Sequence, residues 1–85
     1  MVSWTYLDFV ENVDNPNVDL LEITELDISK NYLDELPYDI GNLINLKVFD
    51  CSNNKIENLD GIMDLPFLEK LNCSNNNLDG LPLNI

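Results

Sequence analysis

The sequence predicts an α/β solenoid in which short repeated units stack and share a parallel β-sheet. Three observations lead there. Residues 23–33, 46–56 and 68–78 align in register. Within them, apolar and polar residues alternate over 26–28, 49–51 and 71–73, the mark of a strand with one buried face. An asparagine stands at the same phase beyond each strand: Asn31, Asn54 and Asn76. Self-similarity at a short fixed period belongs to architectures whose units cannot bury their apolar edge alone and do so against the next unit.

The three segments read ITELDISKNYL, LKVFDCSNNKI and LEKLNCSNNNL. They start at Ile23, Leu46 and Leu68, so the offsets are 23 and then 22 residues. Each has the form L-x-x-L-x-L-x-x-N-x-L, with Phe, Ile or Cys admitted at the leucine positions. The second halves of the units match as well: Leu36-Pro37-Tyr38-Asp39-Ile40-Gly41-Asn42-Leu43, then Leu59-Asp60-Gly61-Ile62-Met63-Asp64-Leu65, then Leu81-Pro82-Leu83-Asn84-Ile85. Over residues 23–85 the chain resembles the leucine-rich-repeat family. Its first unit is similar to the 23-residue form and its second to the 22-residue form. The resemblance implies a right-handed superhelix with the parallel sheet on its concave side. It also implies a protein-interaction module that binds through strand residues facing out of that side. The chain then divides into an N-terminal helical cap with a degenerate half repeat (1–22) and repeats at 23–45, 46–67 and 68–85, the last incomplete and uncapped.

Asn31, Asn54 and Asn76 fall where the chain turns away from each strand. An amide side chain both donates and accepts. One per rung forms a ladder that satisfies backbone groups the turn leaves unpaired. Asn53, Asn75 and Asn77 lie off phase and are expected at the surface. The inward positions of the return limb are Leu33, Leu36, Ile40 and Leu43, then Ile56, Leu59, Ile62 and Leu65, then Leu78, Leu81 and Ile85. Cys51 and Cys73 share the phase of Ile28, an apolar slot, and read as buried free thiols. Neighbouring strands about 4.8 Å apart leave a disulfide within reach. However, in-register parallel strands point their Cβ atoms the same way rather than at each other.

The open apolar end of a stack needs a cover, and residues 3–22 are the candidate. Ser3 is a suitable helix N-cap. Trp4, Leu7 and Val10, with Tyr6, Phe9 and Val13, follow helical spacing. Residues 14–17 read as a break. Leu20 and Ile23 match the phase of Leu43 and Leu46, hence the half repeat. The aromatic residues Trp4, Tyr6 and Phe9 are expected in the core of this cap, with a ligand site as the alternative.

Sixteen acidic residues stand against four lysines, without arginine or histidine, for a net charge of -12. Such a surface repels phosphate backbones and anionic lipid, which argues against nucleic-acid and membrane partners. Every charged residue before Lys30 is acidic. The excess either keeps a small domain soluble or steers a partner with a basic surface. No run is long enough to span a bilayer. The start lacks a basic region, and Asp8 and Glu11 interrupt its apolar residues, unlike a signal peptide. A cytoplasmic location is expected.

Catalysis is not expected. No histidine is present to activate a cysteine or ligate a metal, and no glycine-rich phosphate loop occurs. Asp27 and Asp50 pair two carboxylates, but on a flat strand face without a pocket to perturb them. The loop 14–19 is similar to a calcium loop yet lacks its glycine and terminal glutamate. No cofactor or metal is implied. The expected function is a non-catalytic protein-interaction module. Its candidate face comprises Thr24, Glu25, Asp27, Ser29 and Lys30; Lys47, Val48, Asp50, Ser52 and Asn53; and Glu69, Lys70, Asn72, Ser74 and Asn75. Ser29, Ser52 and Ser74 form a column whose role is either structural or recognition. The alternative function is a structural component of a larger assembly, with the uncapped C-terminal end self-associating or continuing into a longer parent chain.

Overall fold

The computed structural model describes residues 2–62 and 64–79. Four strands lie parallel, in sequence order, in one sheet: β1 (Val2–Thr5), β2 (Ile23–Asp27), β3 (Val48–Asp50) and β4 (Lys70–Asn72). Trp4, Leu26, Phe49 and Leu71 are register partners and form one row. The first three are buried and Leu71 half-buried, so the row faces the core. Pairing runs past the strands. The Ile28 and Cys51 amides donate to the carbonyls of Asp50 (2.8 Å) and Asn72 (2.9 Å) one rung on. The Lys47 amide donates back to Thr24 at 2.8 Å.

Each strand is reached again through a return limb. The limbs carry short 3₁₀ turns at Leu20–Glu22, Tyr38–Asn42 and Asp60–Ile62. The second and third of these lie against each other. Ile40, Leu43, Ile56, Leu59, Ile62 and Leu65 bury their side chains between the limbs and the sheet. Leu33, Leu36 and Leu78 are half-buried at the edge of the same core. Leu81 and Ile85, expected in it, lie outside the described residues. Each fully buried Leu or Ile contributes on the order of 1.5–3 kcal/mol.

The N-terminus departs from the expected helix start. Residues 2–5 form β1, a fourth strand on β2, rather than a helix capped by Ser3. Pairing there satisfies an edge of β2 that would otherwise be exposed, and Val, Trp and Thr suit a strand. The helix, α1, runs Tyr6–Asn12, and Thr5 caps it. The Asp8 amide donates to Thr5 Oγ1 (3.3 Å) while the Thr5 amide donates to Asp8 Oδ2 (3.0 Å), a reciprocal capping box. The T-x-x-D spacing is in the sequence and outcompetes Ser3. The helical stripe changes accordingly. Phe9 is buried and meets Trp4 edge-on at 6.4 Å between ring centroids, but Leu7 and Val10 are exposed.

Candidate interaction face

The outward side of the sheet carries two aligned columns. Ser3, Glu25, Val48 and Lys70 are register partners, and so are Thr5, Asp27, Asp50 and Asn72. Alternation along each strand places both columns opposite the buried row. Ser3 and Thr5 are not among the expected face residues, because the sequence reads Ser3 as a helix N-cap and the residues from Trp4 onward as helix. Ser3 Oγ donates to the Glu25 carboxylate and joins the fourth strand to the face. Glu25, Asp27, Lys47, Glu69, Lys70 and Asn72 are exposed, and Val48 and Asp50 are half-buried. A shallow cleft of about 220 Å³ opens between Thr24, Glu25, Lys47, Val48, Glu69 and Lys70.

Two expected members of the face are buried. Thr24 is 8% exposed and Ser52 4%. The Thr24 Oγ1 is buried without a hydrogen-bond partner among the described residues. Ser52 is used locally: its amide and hydroxyl both donate to Asp50 Oδ1, at 2.9 and 2.6 Å. Ser74 makes the same pair of bonds to Asn72 Oδ1 (3.2 and 2.8 Å), and the Ser29 amide donates to Asp27 Oδ1 (2.9 Å). These are Asx turns that end each strand. They commit the Ser52 and Ser74 hydroxyls to turns, while at Ser29 the backbone amide alone takes part. The signal was legible as a D/N-x-S triplet at the same phase three times.

Lys30, Asn53 and Asn75 share another duty. All three have left-handed backbone, with φ of 59°, 57° and 57°. Asparagine tolerates that region better than most residues. Asn75 Nδ2 donates to Asn53 Oδ1 at 3.1 Å, a second and exposed asparagine contact between rungs. The inner asparagines behave differently. Asn54 Nδ2 donates to the carbonyls of Ile28 (3.0 Å), Cys51 (3.0 Å) and Ser52 (3.2 Å), and its Oδ1 accepts from the amides of Asn31 and Leu33, both at 3.0 Å. Asn76 Nδ2 reaches Cys51 (2.9 Å), Cys73 (3.1 Å) and Ser74 (3.3 Å), and its Oδ1 accepts from Ile56 at 3.0 Å. Asn31 Nδ2 donates to Ile28 (3.1 Å) and Ser29 (2.6 Å).

Both cysteines carry free thiols; Cys51 is buried and Cys73 half-buried. Burial pushes the Cys51 thiol up to about 12, with the neighbouring Cys73 and Asp50 adding to the rise. A thiol held protonated this firmly is a poor nucleophile. No cluster of metal-ligating side chains forms among the described residues, and there is no helix there long and apolar enough to cross a membrane. Within the loop 14–19 the Asn17 amide donates to Asn15 Oδ1, and Asp19 Oδ1 caps the 3₁₀ turn Leu20–Glu22 by accepting from the Leu21 amide.

A stack of similar rungs sharing a parallel sheet, with one core row and one open polar face, defines a repeat solenoid. Two family models match it: "Leucine Rich Repeat" over residues 22–43 and "Leucine Rich repeats (2 copies)" over 44–84. The chain belongs to the leucine-rich-repeat family, whose domains are generally non-catalytic protein-interaction modules. Among curated relatives, it is 45% identical over 64 residues to Receptor-like protein 1 of Arabidopsis thaliana, covering 72% of this chain and 6% of that protein. It is 46% identical over 59 residues to human Geranylgeranyl transferase type-2 subunit alpha, covering 69% of this chain and 10% of that subunit. It is 37% identical over 57 residues to mouse Leucine-rich repeat and WD repeat-containing protein 1, covering 67% and 9%. The chain thus spans a tenth or less of the length of these relatives. No solved structure matches it.

Proposed function

We propose that this chain is a non-catalytic module that binds another protein through the concave face of its sheet. The observation that carries the reading is the register. Three strands align Glu25, Val48 and Lys70 beside Asp27, Asp50 and Asn72 as one continuous open surface. Rigid strands hold those side chains at fixed spacing, so little ordering entropy is lost when a partner docks. Adjacent carboxylates at Asp27 and Asp50 favour a partner with a basic patch. The enzyme subunit among the relatives matches over a tenth of its length, and that limited stretch supports no transfer of its activity. The test is site-specific photo-crosslinking. A crosslinker at Asp27, Val48 or Asn72 should capture one and the same partner. A crosslinker at Glu57 or Asp64, exposed on the return limb, should not; equal capture from both sides removes the concave face as the site.

The finer architecture belongs to the same reading. Residues 1–22 act as the N-terminal cap, with α1 as its helical part and β1 continuing the sheet, and the repeats at 23–45, 46–67 and 68–85 wind as a right-handed superhelix. Support for the cap comes from Phe9 and Trp4, which cover the first rung. Right-handed crossovers are the rule between parallel strands. A cytoplasmic location is proposed on the two reduced cysteines. A second reading, assembly through the third rung, is favoured by Leu71, Cys73 and Leu78. They are half-buried where Phe49, Cys51 and Ile56 are buried. Sedimentation of the isolated chain separates the two, a monomer supporting the module and self-association the assembly.

A further inference from the structure

Away from the concave face, an open cleft of about 640 Å³ is lined by Tyr6, Tyr32, Tyr38, Asp34, Glu35 and Pro37, over a base of Leu33 and Leu36. Nothing in the repeat requires its aromatics. The positions matching Tyr32 in the next rungs are Lys55 and Asn77, and Tyr38 corresponds to Gly61. Tyr32 and Tyr38 are 84% and 94% exposed, the two most exposed large apolar side chains among the described residues. Tyr32 also has φ 57°, although Lys55 and Asn77 do not share its left-handed backbone. A bulky non-glycine residue in that region is costly, and such strain is found where a side chain is held for use. The third tyrosine comes from the start of α1, so two separate segments converge on the cleft.

We propose that this cleft binds an arginine-containing segment of a partner protein, with a guanidinium stacked on the tyrosine rings and paired with Asp34 or Glu35. Aromatic faces attract cations, and arginine stacks while its fork engages a carboxylate. The charge lining the cleft is wholly acidic, in a chain of net charge -12. A second copy of this chain is a poor occupant, because it brings sixteen acidic side chains and only four lysines. The cleft lies off the concave columns and adds an anchor independent of them.

The test uses the full chain and a fluorescein-labelled decapeptide of alternating arginine and glycine, followed by anisotropy at low salt. Saturable binding is expected. The double variant Tyr32→Asn/Tyr38→Ser should weaken it by about tenfold, the sum of two modest cation contacts. Asparagine accepts the left-handed backbone at position 32, and both side chains are exposed, so the melting temperature serves as the folding control. Asp34→Asn/Glu35→Gln should weaken binding and flatten its salt dependence. The charge-matched control Asp60→Asn/Asp64→Asn and the concave variant Asp27→Asn should bind within about twofold of the parent, since neither site lines the cleft. Unchanged binding by the tyrosine variant overturns the proposal. So does an equal loss in the charge-matched control, which would mark non-specific attraction, or a loss in the concave variant, which would place the peptide on the sheet.

Discussion

The middle rung and the rung after it are written in almost the same letters, LKVFDCSNNKI and LEKLNCSNNNL, yet they are not held alike. Phe49, Cys51 and Asn54 are 1%, 0% and 7% exposed, whereas Leu71, Cys73 and Asn76 are half-buried. The inner asparagines show a matching asymmetry in the other direction. Asn54 and Asn76 each offer Oδ1 to amides of the rung before, while Asn31, preceded by α1 instead of a rung, uses its amide nitrogen on its own turn. A motif residue in a solenoid therefore takes its worth from the neighbours on either side. The same motif position is buried in one rung and half-buried in the next.

That comparison breaks most readily at the apolar row. Phe49→Ala should cost about 3–5 kcal/mol, since the surrounding rungs cannot collapse onto the cavity. Leu71→Ala, at a half-buried position, should cost clearly less. Urea melts of the two variants read the difference, and equal losses would mean that the third rung is as tightly enclosed as the second. Next in size is the ladder. Asn54→Ala leaves the Asn31 and Leu33 amides and three carbonyls without this partner and should cost about 1–3 kcal/mol. Asn31→Ala and the exposed Asn53→Ala should each cost less, with thermal melts as the measure.

The N-terminal segment sharpens the account further. Thr5→Ala removes one half of the capping box and should cost about 1 kcal/mol. Ser3→Ala should cost less, because Ser3 caps nothing and donates only to an exposed carboxylate. The reverse order would restore the helix start to Ser3. The smallest effect is a pH dependence at Cys51. Its folded value of about 12 lies above the ordinary 9.0. The folded thiol keeps its proton while the unfolded one gives it up, so the contribution is complete below pH 9 and is lost as pH rises towards 12. The stability gap between the parent and Cys51→Ala should narrow across that window. A constant gap would place the thiol in contact with solvent.

Much of this was written in the repeat. Period, strand positions, inner asparagines and the return-limb core follow from spacing alone, because apolar alternation and a fixed-phase amide have few structural meanings. The N-terminus was harder to read. Trp4, Leu7 and Val10 fit a helical period as well as a strand followed by a helix, and only the pairing edge of β2 decides between them. The candidate face was legible as columns, and so was the turn chemistry of its serines, but the burial of Thr24 was not. The D/N-x-S triplets commit Ser52 and Ser74 to turns, and Thr24 is buried at the edge of the cleft it lines. The tyrosine cleft was invisible to any repeat pattern, because Tyr6 and Tyr38 are brought together only by the fold.

Amide hydrogen exchange on Asn54→Ala tests most directly whether one rung holds the next through its asparagine. In the parent, the Asn31 and Leu33 amides are held by Asn54 Oδ1 and the Ile56 amide by Asn76 Oδ1. The account predicts that the variant loses protection at Asn31 and Leu33, in the rung before the mutated one, while Ile56 stays protected beyond the general loss of stability. Protection retained at Leu33, or lost equally at Leu33 and Ile56, would contradict it.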